Sequence, residues 1–285
     1  MDQVFVGVET GGTKILARIM DAGGRVVAEG RWPTTTPEVA LANLVTFIAG
    51  VVSVGQSLAA IGIAAFGPLV RDEISGDYGR VLNTPKPGWS GSNLRAGLAA
   101  RFAVPVVIDT DVNAAGRAEW QLGAGRGLRC LAYVTVGTGI GGGLLVDGRP
   151  LQGALHPEIG HISVPRRAHD AAHSMCPFHE NCVEGLAAGP AIARRLGGNR
   201  ALADDSAVLD LVAHYLGDLA VTLVLTWSPE RTSGVGASWR PRVYSSVCGP
   251  GWARLSQDTG LERLPLRRTS AFFQSSTIQA SKERF

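Results

Sequence analysis

Residues 133–161 read Y-V-T-V-G-T-G-I-G-G-G-L-L-V-D-G-R-P-L-Q-G-A-L-H-P-E-I-G-H, and this stretch restricts the possible folds more than any other. A β-rich run, Tyr133 to Val136, enters a loop of five glycines, Gly137, Gly139, Gly141, Gly142 and Gly143, with Thr138 and Ile140 between them. Such a loop can present bare backbone N–H groups to an anion. Gly137, Gly139 and Gly142 fit G-x-G-x-x-G, but the dinucleotide fingerprint needs a helix straight after the glycines. Here Leu144, Leu145 and Val146 run into Asp147-Gly148, a strong two-residue hairpin signal. The glycines therefore sit in a turn between strands. That turn is either a phosphate cradle in an antiparallel setting or a plain surface loop.

A length of 285 residues allows two lobes with a core each. Val4–Val8, Ile15–Met20 and Arg25–Glu29 read as a three-strand meander, with the turns at Glu9–Lys14 and Asp21–Gly24. Gly7–Lys14 misses a Walker loop by one residue and precedes no convincing helix, so it too reads as a phosphate-facing hairpin. Thr36-Pro37 starts a helix whose Val39, Leu41, Leu44, Val45 and Ile48 keep helical spacing. Residues 48–66 are uncharged, yet Gly50, Ser53, Gly55, Gln56 and Ser57 interrupt them, so they read as a helix end, a turn and a buried strand rather than a membrane span. A strand at Ala59–Ala65, a helix at Asn93–Phe102, a strand at Val104–Ile108 and a helix from near Ala114 follow. Later helices cover Glu184–Leu196, kinked at Pro190, and Ala207–Trp227.

Charge and leader signals limit the partners. No basic-then-apolar leader is visible at the start, which points to the cytoplasm. The net charge of +3 is uneven, because residues 231–285 hold nine Lys or Arg against three acids, leaving 18 against 21 elsewhere. Basicity confined to one end argues against a nucleic-acid partner, and no membrane partner is indicated.

Two constellations carry chemistry. Asp111 follows a strand's carboxyl end, where it is either a helix N-cap or a general base placed where α/β proteins put catalysis. His161, fourteen residues and then Cys176-Pro177-Phe178-His179-Glu180-Asn181-Cys182 supply two thiolates and two imidazoles, a full tetrahedral set for a structural zinc. The alternative is two buried thiols beside surface histidines. Cys130 and Cys248 have no such neighbours, and a disulfide is not expected.

With these residues together, the chain resembles the ROK family (repressors, uncharacterised reading frames and kinases), and within it the fructokinase branch. The matching stretches are V-E-T-G-G-T-K, A-F-G-P-L, N-T-P-K-P-G-W, I-D-T-D-V-N-A-A, V-G-T-G-I-G-G-G, H-P-E-I-G-H and C-P-F-H-E-N-C-V-E-G-L-A-A-G-P-A-I. Glu9 where aspartate is usual, Thr110 before the aspartate and His179 within the cysteine motif resemble that branch rather than the glucokinases. The resemblance implies an α/β, actin-like or ribonuclease H-like, two-lobe sugar kinase fold with a cleft between the lobes. The expected domains are 1–112 and 113–230, followed by a divergent, poorly ordered tail over 231–285.

The resemblance also implies roles. Gly11, Gly12, Thr13 and Lys14, and separately Gly137, Thr138 and Gly139, would face the ATP phosphates, and Glu9 would help hold Mg2+. Asp111 would take the proton from the attacking sugar hydroxyl. Asn83, Glu158, His161 and Glu184 would bind the sugar, and His161, Cys176, His179 and Cys182 would hold Zn2+. The implied activity is ATP-dependent phosphorylation of a hexose, fructose to fructose 6-phosphate, with a homodimer compatible. A repressor is disfavoured because the first strand begins at residue 4, without room for a DNA-reading helix pair. After Ser228-Pro229-Glu230-Arg231 the family register is lost, replaced by serine and arginine without apolar periodicity. Hence the alternative is a catalytically impaired sugar- and zinc-binding homologue that has lost its adenosine-binding segment.

Overall fold

Alternation along the first strands produces the opening meander. In the computed structural model, which describes residues 3–52, 55–197 and 201–236, β1 (Gln3–Thr10) and β2 (Lys14–Asp21) send every second side chain inward. These are Val4, Val6 and Val8 from the first and Ile15, Ala17 and Ile19 from the second. β3 (Val26–Pro33) completes the antiparallel run. The helix α1 (Pro37–Val52) then crosses to β4 (Ser57–Ala65), which lies parallel to β1. Residues 48–66 are thus the helix end, turn and buried strand expected from their composition.

α1 buries Pro37, Ala40, Leu44 and Ile48 and packs the partly buried Leu41 and Val45 against the same core, so of its expected apolar positions Val39, 47% exposed, is the one that faces away. α2 (Leu94–Ala99) is shorter than the expected 93–102. Arg101 and Phe102 both turn their N–H groups back to the Leu98 carbonyl, which closes the helix. β5 (Val106–Thr110), two residues beyond the expected strand, pairs parallel with β4 and leads directly into α3 (Asp111–Leu122). The sheet order is β3-β2-β1-β4-β5.

The chain divides into two compact units, residues 1–114 with 152–156, and residues 115–151 with those from 157 on. In the second, β6 (Cys130–Val136), β7 (Ile140–Val146) and β8 (Arg149–Pro150) form antiparallel pairs. Asp147 at φ 49° and Gly148 at φ 75° make the turn that their sequence specifies. α4 (Val183–Ala187) and α5 (Gly189–Leu196) replace the single kinked helix expected over 184–196, since Ala188 is extended and Pro190 sits in the first turn of a new helix. α6 (Ser206–Trp227) is long and apolar enough to cross a membrane by composition. Here its Leu211, Val212, Leu216, Leu219 and Leu223 pack in the second core with Val134, Ile159 and Leu186.

β9 (Arg231–Gly236) pairs parallel with β6, giving the order β8-β7-β6-β9. The chain nevertheless continues as strand from Arg231 through Gly236, beyond the point where the family register was expected to end. Its composition was misleading because Thr232, Ser233 and Gly234 are poor apolar signals, yet Thr232 and Ser233 are buried by pairing along β6. Residues 237–285, including Cys248 and most of the tail expected to be poorly ordered, lie outside the described residues.

A buried charge cluster ties the loop after β8 to the helices. Asp170 accepts hydrogen bonds from Arg195 Nη2 at 2.8 Å and Tyr215 Oη at 2.7 Å. Burial raises its carboxyl, but the bonds from Arg195 and Tyr215, the Arg195 charge and the Ala172 N–H outweigh that effect and hold it below the ordinary carboxylate range. Asp170→Ala leaves the Arg195 guanidinium, 7% exposed, without its counter-charge. The expected loss is about 3–5 kcal/mol, read as a lower urea midpoint. Because the folded-state value is depressed, this contribution is complete above the unfolded carboxyl's value of about 3.9. It is lost as pH falls further, so the variant should show less acid destabilisation than the wild type.

Candidate active site and metal-ligand cluster

Asp111 is the first residue of α3, and the helix does not use it as its cap. Thr110, 4% exposed, accepts the Asn113 N–H through Oγ1 at 3.1 Å, which is the capping geometry. The Asp111 carboxylate instead takes the adjacent Val112 N–H, at 2.9 Å, and its own N–H. Asp109 lies behind it, engaged by Arg71 Nε at 2.7 Å and Asn113 Nδ2 at 2.8 Å, and fixes the strand end. The Asp111 side chain reaches solvent, yet desolvation by the protein around it raises its carboxyl, and the charge of Glu9 adds to the rise. The Val112 N–H and the charge of His156 oppose it. Of the two readings left open for this residue, capping is thus performed by its neighbour.

Glu9 is the penultimate residue of β1, and the turn after the strand is closed by the Gly11 N–H on the Lys14 carbonyl at 2.8 Å. This is a strand-to-strand turn without a following helix, as expected. Thr34 grips it, its Oγ1 donating to the Gly11 carbonyl at 2.8 Å and its N–H to the Thr13 carbonyl at 3.0 Å. Among the described residues no partner is given to the N–H groups of Gly12 and Thr13. Asn83 is exposed in the loop that follows Leu82, and Lys86 from that loop reaches the turn, donating from Nζ to the Gly12 carbonyl. A cavity of about 370 Å³, lined in part by Leu69, Arg71, Leu82, Leu155 and His156, adjoins this loop. His156 packs so closely over Gly67 that a Cβ there would lie 3.0 Å from the ring.

In the second unit, the five-glycine loop is shorter than its composition suggests. Gly141, Gly142 and Gly143 pair with Thr135, Val134 and Tyr133 inside β7, leaving Gly137, Thr138 and Gly139 as the turn. The strand glycines serve close packing. A Cβ on Gly142 would meet Ile159 Cδ1 at 2.1 Å, and one on Gly160 would meet the Ile140 carbonyl oxygen at 2.2 Å. The turn itself is fastened twice, by Glu184 Oε2 accepting the Ile140 N–H at 2.9 Å and by the Gly189 N–H on the Gly137 carbonyl at 2.7 Å. Glu184, expected only at the sugar, therefore also positions the turn.

Glu158 precedes a 3-10 turn (Ile159–His161), its carbonyl accepting the His161 N–H at 3.0 Å. His161, Cys176, His179 and Cys182 bring one ligand atom each to within 4.8 Å of the others. Cys176 Sγ lies 3.8 Å from His161 Nδ1 and 3.6 Å from His179 Nδ1. Tetrahedral zinc with bonds of about 2.0–2.3 Å sets its ligands about 3.3–3.8 Å apart, so the donor set fits. Cys182 also caps α4, accepting the Gly185 N–H at 3.4 Å. Burial pushes its thiol up to about 11, a cost that a bound cation would remove. Behind the ligands, Arg166 donates to the Glu180 carbonyl at 2.8 Å and to Asn181 Oδ1 at 3.0 Å. Lys86 and His156 lie within the matching stretches N-T-P-K-P-G-W and H-P-E-I-G-H and Arg166 outside any, but all three went unassigned because their partners Gly12, Gly67 and Glu180 are more than ten residues away.

The profile of the ROK family matches residues 5–231. A fructokinase from Zymomonas mobilis is 42% identical over 237 residues, covering 80% of this chain and 78% of its own. A ROK hexokinase from Thermus thermophilus superposes with a TM-score of 0.69 at 28% identity, covering 90% of this chain and 89% of that one. A ROK family glucokinase from Streptomyces griseus, solved with glucose and AMPPNP, gives 0.63 at 26%, covering 82% and 83%. The architecture is the actin-like α/β fold of these sugar kinases. The chain belongs to the ROK family.

Proposed function

We propose that the protein is an ATP-dependent fructokinase of the cytoplasm, converting fructose to fructose 6-phosphate. The observation that carries this reading is Asp111, a carboxylate at a strand's carboxyl end that is released from capping by Thr110 and whose proton affinity is raised above the ordinary aspartate value. Its carboxylate takes the proton of the sugar's 6-hydroxyl as that oxygen attacks the γ-phosphorus. The new O–P bond forms as the bond to the β-phosphate oxygen breaks, and ADP leaves. Backbone donors of Gly12 and Thr13, with Lys14, in the turn that Gly11 closes, and those of Thr138 and Gly139, in the turn that Gly137 closes, hold phosphate oxygens. Glu9 would hold the magnesium that offsets phosphate charge, directly or through water.

Asn83, Glu158, His161 and Glu184 bind the sugar. His161 turns Nδ1 towards the cysteine motif, which leaves Nε2 to donate to a sugar hydroxyl. Glu184 commits Oε2 to Ile140 and keeps Oε1 for the same purpose. His161, Cys176, His179 and Cys182 would hold zinc, whose contribution is to tie the loop down. An impaired homologue is the less favoured reading, because a relative matching most of this chain is named a fructokinase and β9 continues past Arg231. A coupled ADP-release assay with fructose, mannose and glucose tests the proposal. Turnover should be highest on fructose, and none with any hexose would overturn it.

A further inference from the structure

Lysine is scarce in this chain. Of 27 basic residues only Lys14, Lys86 and Lys282 are lysines, the rest being arginine. Two of the three meet at one turn of the first unit, since Lys14 closes it and Lys86 binds the Gly12 carbonyl from a loop 74 residues away. A compact ammonium meets a phosphate as a point charge, whereas the guanidinium fork grips carboxylates and phosphates through paired bonds. Arginine serves elsewhere for carboxylates, as at Asp109 and Asp170.

The loop bearing Lys86 is held rigidly. Trp89 is 1% exposed, donates Nε1–H to the Thr35 carbonyl at 2.7 Å, and stacks edge-on against Phe66 at 5.0 Å. The Lys86 ammonium lies 5.8 Å from the Phe66 ring centroid, and no carboxylate pairs with it among the described residues. One N–H is spent on Gly12, and an ammonium has three. The cation is therefore held, without a counter-charge, beside the two unpartnered N–H groups of Gly12 and Thr13.

We propose that Lys86 is a phosphate-contacting residue, its ammonium anchored to the Gly12 carbonyl so that the remaining donors meet the terminal phosphate of the nucleotide. This rests on the kinase reading above. It goes further by giving a role in phosphoryl transfer to the loop that also carries Asn83, so that one loop serves both the sugar and the phosphate.

The test compares ATP and ADP binding to the wild type, Lys86→Met, Lys86→Gln and Lys86→Arg by calorimetry, alongside fructose turnover. A charged hydrogen bond to the terminal phosphate is worth about 10- to 100-fold. ATP affinity should fall by that factor in the Met and Gln variants, with ADP affinity unchanged, and Arg should restore part of the ATP preference. Gln, one atom shorter, keeps a polar N–H donor without the charge if Met does not fold. Equal weakening of ATP and ADP would make Lys86 a mere latch between loop and turn, and no change in either would remove it from the site. Both results overturn the proposal. Should the wild type turn over no hexose, the kinase reading fails by itself, while the ATP-to-ADP comparison still judges Lys86.

Discussion

Asp111→Ala should lower kcat by about 100- to 10,000-fold, the range associated with a positioned general base, while calorimetric fructose binding is largely kept. Two features make the result interpretable. Thr110 supplies the α3 cap, so the substitution leaves the helix start intact, and Asp109, with its own bonds to Arg71 and Asn113, holds the strand end in place. The pH profile adds a second check. A base works when deprotonated, and desolvation with Glu9 nearby raises this carboxyl. The acid limb of kcat/KM should therefore fall at a pH above the ordinary aspartate value of about 3.9. A variant with near-normal rates, or an acid limb at the ordinary value, would take the role away from Asp111.

Metal removal is the second large effect. The purified protein should carry one zinc per chain, and Cys182→Ser should lose it with a drop in thermal midpoint corresponding to a cost on the order of several kcal/mol. Cys182→Ser should cost more than His179→Ala. The cysteine is buried and caps α4, whereas the histidine is an exposed ligand at the rim of the cluster. Far-UV circular dichroism should change little, because Arg166 and the Asp170 cluster hold the loop to α5 and α6 without help from the metal. Metal analysis finding none, together with a thermal midpoint indifferent to a strong chelator, would discard the site.

What the sequence disclosed and what it concealed divide along physical lines. Elements set by local pattern were legible. The alternating Val4, Val6 and Val8, the Asp147-Gly148 turn and the closely spaced Cys176, His179 and Cys182 each carry their geometry within a few residues. Features set by distant partners were not. Nothing near Gly142 says that a neighbouring segment will pack too tightly to admit a Cβ, so composition made it look like loop. Nothing near Lys86 announces Gly12, and Asp170 gives no hint of Arg195 and Tyr215. α1 shows an intermediate case, where the helix was plain but the sheet beneath it decided that Val39 faces away. Thr110 and Asp111 compete for one role at adjacent positions, and only coordinates could separate them.

The parallel pairing of β9 with β6 bears on how the polypeptide is made. β6 lies inside its sheet, yet one neighbour is encoded a hundred residues downstream, and the Glu230 carboxylate closes the seam by accepting the N–H groups of Arg129 at 2.6 Å and Cys130 at 2.8 Å. During vectorial synthesis a nascent chain must carry the rim of β6 bare until residue 236 clears the ribosome, a long-range closure of the kind that is slow and exposed to self-association. Truncation before β9 would make that transient vulnerability permanent.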